Sequence, residues 1–310
     1  MASDSIATAA ATAKSEAQVA RLHLIDGTYE LYRAHFAPRP QHIAPSGRDA
    51  KATVGVVESI LSLLRDRDEA VTHIAIAFDN PIRSFRNDLF AYYKSDDGVP
   101  PELRSQFDAV EDAMRALGIA VWSMREYEAD DGLASGARKF RDEVEQVRIM
   151  SPDKDLGQCI VGERVVQVDR RQRKVTNEAE FRARRGFGPH SMADYLGLAG
   201  DSADGFPGLP GFGEKSAGTL IGAYEHIESI PARAADWRVS LRGADKLAAT
   251  LNERREEAIL FRKLATLVDN VPIDQSLEDL RYRGPQRDRF EAWCAELGAD
   301  RLKSAPMLWQ

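Results

Sequence analysis

Cysteine is nearly absent from this chain: its 310 residues include two, Cys159 and Cys294, which lie far apart without a metal-binding spacing. A disulfide-linked secreted domain and a cysteine-ligated zinc site are therefore not expected, and the sequence predicts a reduced, cytoplasmic protein. Histidine is sparse as well, and its spacing predicts no histidine-bound zinc. The six histidines are His23, His35, His42, His73, His190 and His226.

Long apolar runs are also missing, and none approaches the roughly 20 residues that a membrane-spanning helix needs. No membrane association is expected. Residues 1–19 are rich in alanine, serine and threonine but lack the basic start and apolar centre of a signal peptide, which predicts a flexible N-terminal extension. Because 43% of the chain is hydrophobic, the remainder can bury a large core and a second, smaller unit.

Three apolar segments with the composition of buried strands each end in aspartate. They are Leu22–Ile25, Ile74–Phe78 and Val147–Met150, followed by Asp26, by Asp79, and by Asp153 and Asp155. Helical patterns alternate with them at Ala52–Leu64, Pro101–Leu117 and Asp131–Phe140. This alternation predicts an α/β fold with a mostly parallel central sheet flanked by helices, in which the carboxyl ends of the strands form one ligand-binding edge.

Two further acidic segments, "YEADD" and "GDSAD", bring the carboxylates expected near this edge to nine. They are Asp26, Asp79, Glu128, Asp130, Asp131, Asp153, Asp155, Asp201 and Asp204. Two unit charges 4 Å apart repel by roughly 4 kcal/mol at an effective dielectric constant of 20, so such a cluster needs cations. Carboxylates without histidine or cysteine favour Mg²⁺ or Mn²⁺. For "EADD" alone, complementing a helix dipole is the alternative interpretation.

The net charge of −7 argues at first against a polyanionic partner, but leaving out the nine clustered negative charges gives +2 for the rest of the chain. Residues 83–104 interleave basic and aromatic side chains, which suits single-stranded nucleic acid and equally an amphipathic helix with a buried aromatic face. Residues 164–185 form a second basic run. Its pattern is typical of a β-hairpin with a charged turn, for which solvent exposure is favoured over DNA contact.

Glycine and proline concentrate in "GFPGLPGFGEKSAG", which predicts two short helices joined by a tight hairpin. Gly208, Gly211 and Gly213 allow close approach of backbone amides to a ligand. A helix that begins near Glu214 presents N–H groups suited to phosphate. A glycine-rich loop without any partner is the alternative interpretation.

Taken in order, these segments resemble the 5′ nuclease, or flap endonuclease, family, which includes the 5′-nuclease domain of bacterial DNA polymerase I. The segments are "LIDG", "AFDN", "SFR", "YYK", "YEADD", "SPDKDL" and "GDSADGFPGLPGFGEKSA". The similarity extends from about Arg21 to about Ile273, and a free-standing form without a polymerase module is expected. The resemblance implies a structure-specific 5′-3′ exonuclease and flap endonuclease that hydrolyses DNA by a two-metal-ion mechanism in replication and repair. A catalytically weak or inactive DNA-binding relative is the alternative.

The resemblance also implies a role for each motif residue. One metal cluster consists of Asp26, Asp79, Glu128, Asp130 and Asp131, and the other of Asp153, Asp155, Asp201 and Asp204. Lys94, the arch lysine at the scissile phosphate, and Arg86 are implied to be catalytic. The implied DNA-binding residues are Tyr93, Gly208, Gly211, Gly213, Lys215 and Ser216. Two or more Mg²⁺ or Mn²⁺ ions are the expected cofactors, and a structural K⁺ at the hairpin is a further expectation.

The implied organisation has three parts: the extension (1–19), an α/β nuclease core with a helical arch at about 83–104 (20–185), and a helical DNA-binding region with a helix-hairpin-helix motif (186–310). The expected partners are DNA with 5′ flaps, 5′ overhangs or nicks, RNA-primed strands, and a cooperating polymerase or ligase. A monomer is expected. A single-strand RNase and a Mg²⁺-dependent phosphatase are rival interpretations, but neither explains the glycine hairpin.

Two positions depart from the family pattern. The arginine that the family commonly has three residues past the arch lysine is replaced by Asp97, which follows another acid, Asp96. A carboxylate cannot neutralise the negative charge of the transition state. Either Arg86 or Arg104 therefore takes the place of the missing arginine, or the rate of hydrolysis is lower. The usual asparagine after the final acid is replaced by Gly205.

Overall fold

A six-stranded sheet of order β3-β2-β1-β4-β5-β6 forms the centre of the computed structural model, which describes residues 20–310. The extension predicted for residues 1–19 lies outside the described part of the chain. The strands are β1 (Arg21–Asp26), β2 (His73–Asp79), β3 (Ala120–Met124), β4 (Gln146–Met150), β5 (Val165–Asp169) and β6 (Lys174–Thr176). Strands β1 to β5 pair in parallel, whereas β6 pairs antiparallel to β5. The predicted mostly parallel sheet is confirmed.

Helices account for much of the remaining chain. In the described residues they are α1 (Gly27–Phe36), α2 (Lys51–Arg65), α3 (Arg86–Leu89), α4 (Pro101–Arg104), α5 (Phe107–Ala116), α6 (Ala129–Phe140), α7 (Glu178–Arg185), α8 (Met192–Ala199), α9 (Glu214–Tyr224), α10 (Ala244–Glu253), α11 (Arg255–Ala265) and α12 (Arg287–Glu296). Of these, α2 and α6 match two of the predicted helical patterns. Within residues 20–310, no helix is both long and apolar enough to cross a membrane.

Alternate strand residues face opposite sides of the sheet, and helices cover both sides. The residues that face α1, α2 and α5 belong to one core cluster: Ile25, Ile74, Ile76 and Phe78. Those that face α6 belong to another: Leu22, Leu24, Ala75 and Ala77. A third apolar cluster holds helices α8 to α11 together. At the carboxyl edge of the sheet, Asp153 is exposed and Lys94 is partly exposed to solvent.

Two predicted segments differ from the structure in detail. The helix predicted over Pro101–Leu117 is divided into α4 and α5 by a turn at Ser105 and Gln106, where the buried Gln106 Oε1 accepts the Thr53 N–H at 2.9 Å. The segment predicted as a helical arch, 83–104, holds two four-residue helices, α3 and α4, with a loop between them that carries Lys94. The β-hairpin predicted within 164–185 is present as β5 and β6.

Candidate metal centre

The predicted acids lie along the carboxyl edge of the sheet, at strand ends and helix starts. Asp26 ends β1, Asp79 ends β2, and the loop after β4 carries Asp153 and Asp155. Glu128 lies directly before α6, which follows β3. Since β1 has β2 on one side and β4 on the other, the chain reverses its strand order here, and such switch points are where open parallel sheets bind ligands.

Asp26 and Asp79 are held rigidly by hydrogen bonds from neighbouring elements. Asp26 Oδ1 accepts the Tyr29 N–H at 2.8 Å, and its Oδ2 accepts the Ser151 hydroxyl at 2.8 Å. Asp79 Oδ1 accepts the Ala129 N–H at 2.7 Å, which ties the end of β2 to the start of α6. Burial raises the pKa of Asp26 to about 7 and also raises the pKa of Asp79. Both carboxylates are therefore held where an added cation relieves an electrostatic cost.

A second group of carboxylates meets beside the first. Asp155, Asp201 and Asp204 each offer an oxygen within 4.8 Å of the others. The buried Asp155 Oδ1 has no hydrogen-bond partner in the described structure. An orphaned buried oxygen in an all-carboxylate group fits a hard divalent cation, so the residues present suit the metal that the sequence predicts.

Asp153 borders both groups. It is exposed, and its Oδ1 accepts the Asp155 N–H at 2.9 Å. Burial raises the pKa of Asp130 and of Asp155 well above the ordinary value, and the charge of Asp153 adds to the increase for both. The sequence assigned Asp153 to the second cluster alone, whereas its surroundings place it between the two.

Asp131 differs from the other predicted ligands, because its carboxylate is fully buried and occupied by protein groups. Arg86 binds it in bidentate fashion, with Nη1 donating to Oδ2 and Nη2 donating to Oδ1, both at 2.7 Å. The N–H groups of Glu128 and Val268 complete its coordination at 3.0 and 2.8 Å. The structure does not bring Asp131 to the open edge with the other acids, and its role as a metal ligand stays a prediction.

The guanidinium of Arg86 is equally occupied, and its side chain is 1% exposed. Besides binding Asp131, it donates from Nε to Leu264 O at 2.7 Å and from Nη2 to Thr266 O at 2.9 Å. Its Nη1 also lies 3.0 Å from Glu128 Oε1. This leaves the guanidinium without a free face for a substrate phosphate. The predicted catalytic role of Arg86 therefore finds no support in these contacts, which instead join α3, α6 and the end of α11.

Lys94 lies between the two carboxylate groups. Its Nζ is 2.7 Å from Glu128 Oε2 and 3.0 Å from Asp204 Oδ1, and its side chain is 26% exposed. Although burial opposes the charged form, Glu128 and Asp204 raise the pKa of Lys94 well above its ordinary value. Lys94 thus places a permanent positive charge at the open edge.

Lys154 was not singled out from the sequence, yet it has a matching position in the second group. Its Nζ contacts Asp201 Oδ2 and lies 4.0 Å from Asp155 Oδ1. The available signal is its place between two predicted ligands in "SPDKDL". Ser84 was also missed as a site residue: its hydroxyl donates to Glu128 Oε1 at 2.6 Å, and its place in the segment "SFR" was the available signal.

The aromatic side chains of the arch segment divide between core and surface. Tyr93 is 4% exposed and donates its hydroxyl to Glu128 Oε2 at 3.2 Å, so its predicted DNA contact stays a prediction that this burial does not favour. Phe90 packs edge-on against Phe261, with ring centroids 5.7 Å apart. Tyr92 is 79% exposed and is the ring in this segment that is available for base stacking.

Gly205 explains how the arch segment reaches the second carboxylate group. Its φ is +85°, and a Cβ added there would lie 2.2 Å from the carbonyl oxygen of Tyr92. Because only glycine leaves this space free, the arch backbone approaches closely enough for the Lys94 N–H to donate to Asp204 O at 3.0 Å. An asparagine at this position would push the Lys94 segment away.

The predicted hairpin joins α8 to α9. Gly208 is buried, and a Cβ there would lie 2.3 Å from the Gly200 nitrogen, so this glycine serves close packing within the hairpin. Gly213 precedes α9, and its N–H donates to Ser216 Oγ at 3.0 Å. Gly211, Gly213 and Lys215 are exposed at the start of α9 and Ser216 is half-buried, which leaves this helix end open to a phosphate group.

The raised pKa of Asp26 predicts a pH-dependent stability. Because its folded pKa of about 7 exceeds the ordinary 3.8, the stability that it contributes is present at low pH and is lost as the pH rises through about 7. In EDTA at about pH 8 we expect Asp26→Asn, which keeps an acceptor for the Tyr29 N–H, to be more stable than wild type by roughly 2 kcal/mol. Urea unfolding measures this difference.

The control for Asp26→Asn is the same comparison at about pH 3, below the ordinary pKa of 3.8, where the side chain at this position is neutral in both the folded and the unfolded chain and the difference should nearly vanish. Added Mg²⁺ should reverse the order, because it stabilises the folded wild type by binding to a carboxylate that the variant lacks. If wild type and variant respond identically to pH, the buried carboxylate is not the source of the instability.

Comparison with known proteins agrees with this geometry. Two family descriptions match the chain: "5′-3′ exonuclease, N-terminal resolvase-like domain" over residues 21–186 and "5′-3′ exonuclease, C-terminal SAM fold" over residues 187–288. DNA polymerase I of Bacillus caldotenax is 34% identical over 284 residues, which are 90% of this chain and 31% of the polymerase. The chain therefore spans under a third of the length of this relative.

Other similar proteins match over most of their length. The 5′-3′ exonuclease of Aquifex aeolicus is 29% identical over 89% of this chain and 91% of its own. The zinc-bound T5 5′-exonuclease superposes with a TM-score of 0.64 at 15% identity, covering 89% of this chain and 98% of its own. The catalytic core of Rad2 in complex with DNA superposes with a TM-score of 0.57 at 14% identity, over 93% and 91% of the two chains. At these identities the two structures show a shared fold, whereas the matches over residues 21–288 show that the chain belongs to the 5′-3′ exonuclease family.

Proposed function

We propose that this chain hydrolyses DNA phosphodiester bonds near 5′ ends and at 5′-flap junctions, with two or more Mg²⁺ or Mn²⁺ ions as cofactors. The observation that carries the proposal is the pair of adjoining carboxylate groups at the sheet edge, one of which has three acids within 4.8 Å and an unpartnered buried oxygen. When bound, the metals supply an activated water and stabilise the leaving oxygen.

The side chains around the edge then have distinct tasks. Asp26, Asp79, Glu128 and Asp130 would hold one metal, Asp155, Asp201 and Asp204 the other, and Asp153 would serve both. Asp26 is oriented for this by its bonds from Tyr29 and Ser151, which leave the carboxylate no freedom to turn away. None of these acids needs to act as a general base.

Lys94 supplies positive charge where negative charge develops during hydrolysis. Its ammonium lies between Glu128 and Asp204, within reach of both groups. A charge fixed in advance stabilises a transition state without reorganising at the moment of reaction. In this proposal the ammonium of Lys94 contacts the scissile phosphate from the position that it already holds beside the carboxylates.

The helical region would grip the duplex. The exposed start of α9, with Lys215 beside it, offers N–H groups and a cation to the phosphate backbone, and a K⁺ ion at the hairpin belongs to the same proposal. The division at 185/186 into a nuclease core and a DNA-binding region follows this assignment of roles. We propose flaps, overhangs, nicks and RNA-primed strands as substrates, polymerase or ligase cooperation, a monomeric state and a cytoplasmic location.

Cleavage of a 5′-labelled flap duplex, beside a single strand of the same sequence, tests the proposed function. We expect cutting at the flap junction in Mg²⁺ or Mn²⁺, little cutting of the single strand, and none in EDTA. Binding without cutting in either metal would favour the second candidate function, a DNA-binding relative without activity. Absence of both binding and cutting would refute both.

The second candidate rests on Asp97, which is exposed and accepts the Ser95 hydroxyl at 2.9 Å in the loop that carries Lys94. Asp96 in the same loop lies 3.6 Å from Arg104, which leaves Asp97 the acid without a cationic partner. We expect Asp97→Arg to raise the cleavage rate by about tenfold, because roughly 1.4 kcal/mol of transition-state stabilisation is gained. Single-turnover kinetics measure this rate.

Asp88→Arg is the matched control for Asp97→Arg. Asp88 lies in α3, is 72% exposed and undergoes the same change of charge, so it reports any general gain in DNA affinity. An equal acceleration by both variants would assign the effect to DNA binding. No acceleration by Asp97→Arg would show that the loop does not reach the transition state.

A further inference from the structure

Three side chains meet on the surface of the C-terminal helical region, two of them adjacent in the sequence and the third far from them. His190 lies in the 3₁₀ helix Pro189–Ser191, and Glu225 and His226 follow α9. One ligand atom from each lies within 4.8 Å of the others. The 35 residues between His190 and His226 fold so that the two imidazoles lie side by side, which their spacing in the sequence does not indicate.

His226 is oriented by a buried carboxylate. Its Nδ1 lies 3.2 Å from Asp194 Oδ2, and Asp194 is 4% exposed. The carboxylate is itself fixed, since its Oδ1 accepts the Ile227 N–H at 3.0 Å and Arg262 Nη1 at 2.9 Å. A histidine whose Nδ1–H is held by a carboxylate presents the lone pair of its Nε2 to solvent and is a more basic ligand.

His190 and Glu225 complete a set of two imidazoles and one carboxylate. His190 Nε2 lies 3.9 Å from Glu225 Oε2, and the two imidazole rings have centroids 5.9 Å apart. All three side chains are about half exposed, at 46%, 61% and 50%, so an ion can reach them from solvent. The separations are those of neighbouring side chains that can converge on one ion by small rotamer changes.

We propose that His190, Glu225 and His226 bind a divalent transition-metal ion of the zinc class, with water in the remaining position. Imidazole nitrogen favours Zn²⁺, Ni²⁺ and Cu²⁺ over Mg²⁺, whereas the all-carboxylate edge of the sheet favours hard cations. The site shares no residue with the nine predicted metal acids. Because its ligands include two imidazoles, it selects a different metal from the one that hydrolysis requires.

The position of this site indicates what bound metal does to the fold. His190 lies directly before α8, while Glu225 and His226 follow α9, and these two helices flank the glycine hairpin. A metal that bridges the two ends ties together the helices that present the hairpin. We expect Zn²⁺ to raise the unfolding temperature of the chain and to leave flap cleavage in Mg²⁺ intact.

Calorimetric titration of the full chain with Zn²⁺, in millimolar Mg²⁺ to occupy the carboxylate edge, tests the proposal. We expect one equivalent to bind, with His190→Gln and His226→Gln each weakening it by at least about tenfold, as the loss of even a supporting partner does. Visible absorption of bound Co²⁺ gives a second readout that reports nitrogen ligation directly. His42→Gln, which changes a histidine bonded to Leu297 O elsewhere, is the matched control.

Each outcome of the titration decides the proposal. Loss of binding in both site variants but not in His42→Gln supports it, provided that circular dichroism shows all variants folded. Equal binding by wild type and the His190→Gln/His226→Gln double variant would overturn it. So would Zn²⁺ binding that disappears whenever Mg²⁺ is present, because the ion would then belong to the carboxylate edge.

Discussion

We expect Asp153→Asn to cleave a 5′-flap duplex about a thousandfold more slowly than wild type, which corresponds to roughly 4 kcal/mol of lost transition-state stabilisation. Asp153 is the acid that borders both carboxylate groups, so removing its charge weakens both proposed metal sites at once. Asparagine keeps Oδ1 as the acceptor for the Asp155 N–H, and the loop after β4 should therefore hold its shape. Single-turnover cleavage in Mg²⁺ measures the loss.

Asp169→Asn provides a matched control at the end of the neighbouring strand β5. Like Asp153, Asp169 accepts the N–H of the residue two positions later, here Arg171, with its Oδ1 at 2.9 Å. Asp169 is not one of the nine predicted acids. This variant should cut at the wild-type rate. DNA binding in EDTA should be unchanged or tighter for Asp153→Asn, since a negative charge near phosphate is removed. If Asp153→Asn cleaves the flap duplex at close to the wild-type rate, the proposed assignment of the metal sites is wrong.

The parts of this architecture that follow local rules were predictable from the sequence. The strands β1, β2 and β4 are rich in buried apolar residues, and β2 is buried along its whole length. The acids at their ends meet because parallel strands share one carboxyl edge. Strand β3 was not predicted. It lies at the edge of the sheet, and three of its five residues are only half-buried, which weakens the apolar signal.

Contacts between distant segments were not predictable in the same way. The sequence grouped Asp131 with Asp130, yet successive residues of a helix point about 100° apart. Asp131 therefore faces the interior, whereas Asp130 lies near Asp26, Asp79 and Asp153. A signal was available, because Glu128 and Asp131 have the three-residue spacing of a capping box, which the structure forms. The partner of Asp131 is Arg86, which lies 45 residues earlier in the chain, and no local sequence pattern predicts that ion pair.

The role of Gly205 was likewise not predictable, because it depends on a contact with a distant residue. The sequence shows glycine where the family has asparagine, but it does not show that the Tyr92 carbonyl oxygen lies 2.2 Å from the position that a Cβ would take. Likewise, His190 and His226 meet only because α8, the hairpin and α9 return the chain to its starting point. Sequence reasoning identified the residue types of the main site, and tertiary packing decided which way each one faces.

The other large effect concerns stability. We expect Arg86→Ala to lower the free energy of unfolding by about 3–5 kcal/mol, because it leaves the fully buried Asp131 carboxylate without its counterion. The guanidinium also holds Leu264 O and Thr266 O, so the variant loosens the attachment of the α11 end to α6. Urea unfolding in EDTA measures the loss apart from any metal effect.

Arg83→Ala is the control, since Arg83 in the same segment pairs with Asp88 at 2.8 Å while both side chains remain about 70% exposed. Exposed pairs contribute little, so a change within about 0.5 kcal/mol is expected. The double variant Arg86→Met/Asp131→Leu should be more stable than Arg86→Ala. Replacing both partners by apolar side chains removes the uncompensated buried charge that the single variant creates.

Stability and cleavage together then distinguish the two possible roles of Arg86. If its guanidinium serves the fold, Arg86→Ala loses stability, and cleavage falls in proportion to the loosening of Glu128, which the Nη1 atom contacts at 3.0 Å. If Arg86 instead contacts the substrate, as the family resemblance implies, cleavage falls while the free energy of unfolding stays near the wild-type value. The guanidinium is 1% exposed and contacts two carbonyl oxygens and two carboxylates. It must leave these partners before it can touch DNA, and that movement would itself lower stability. We therefore expect the two losses to occur together in Arg86→Ala and to be absent in Arg83→Ala.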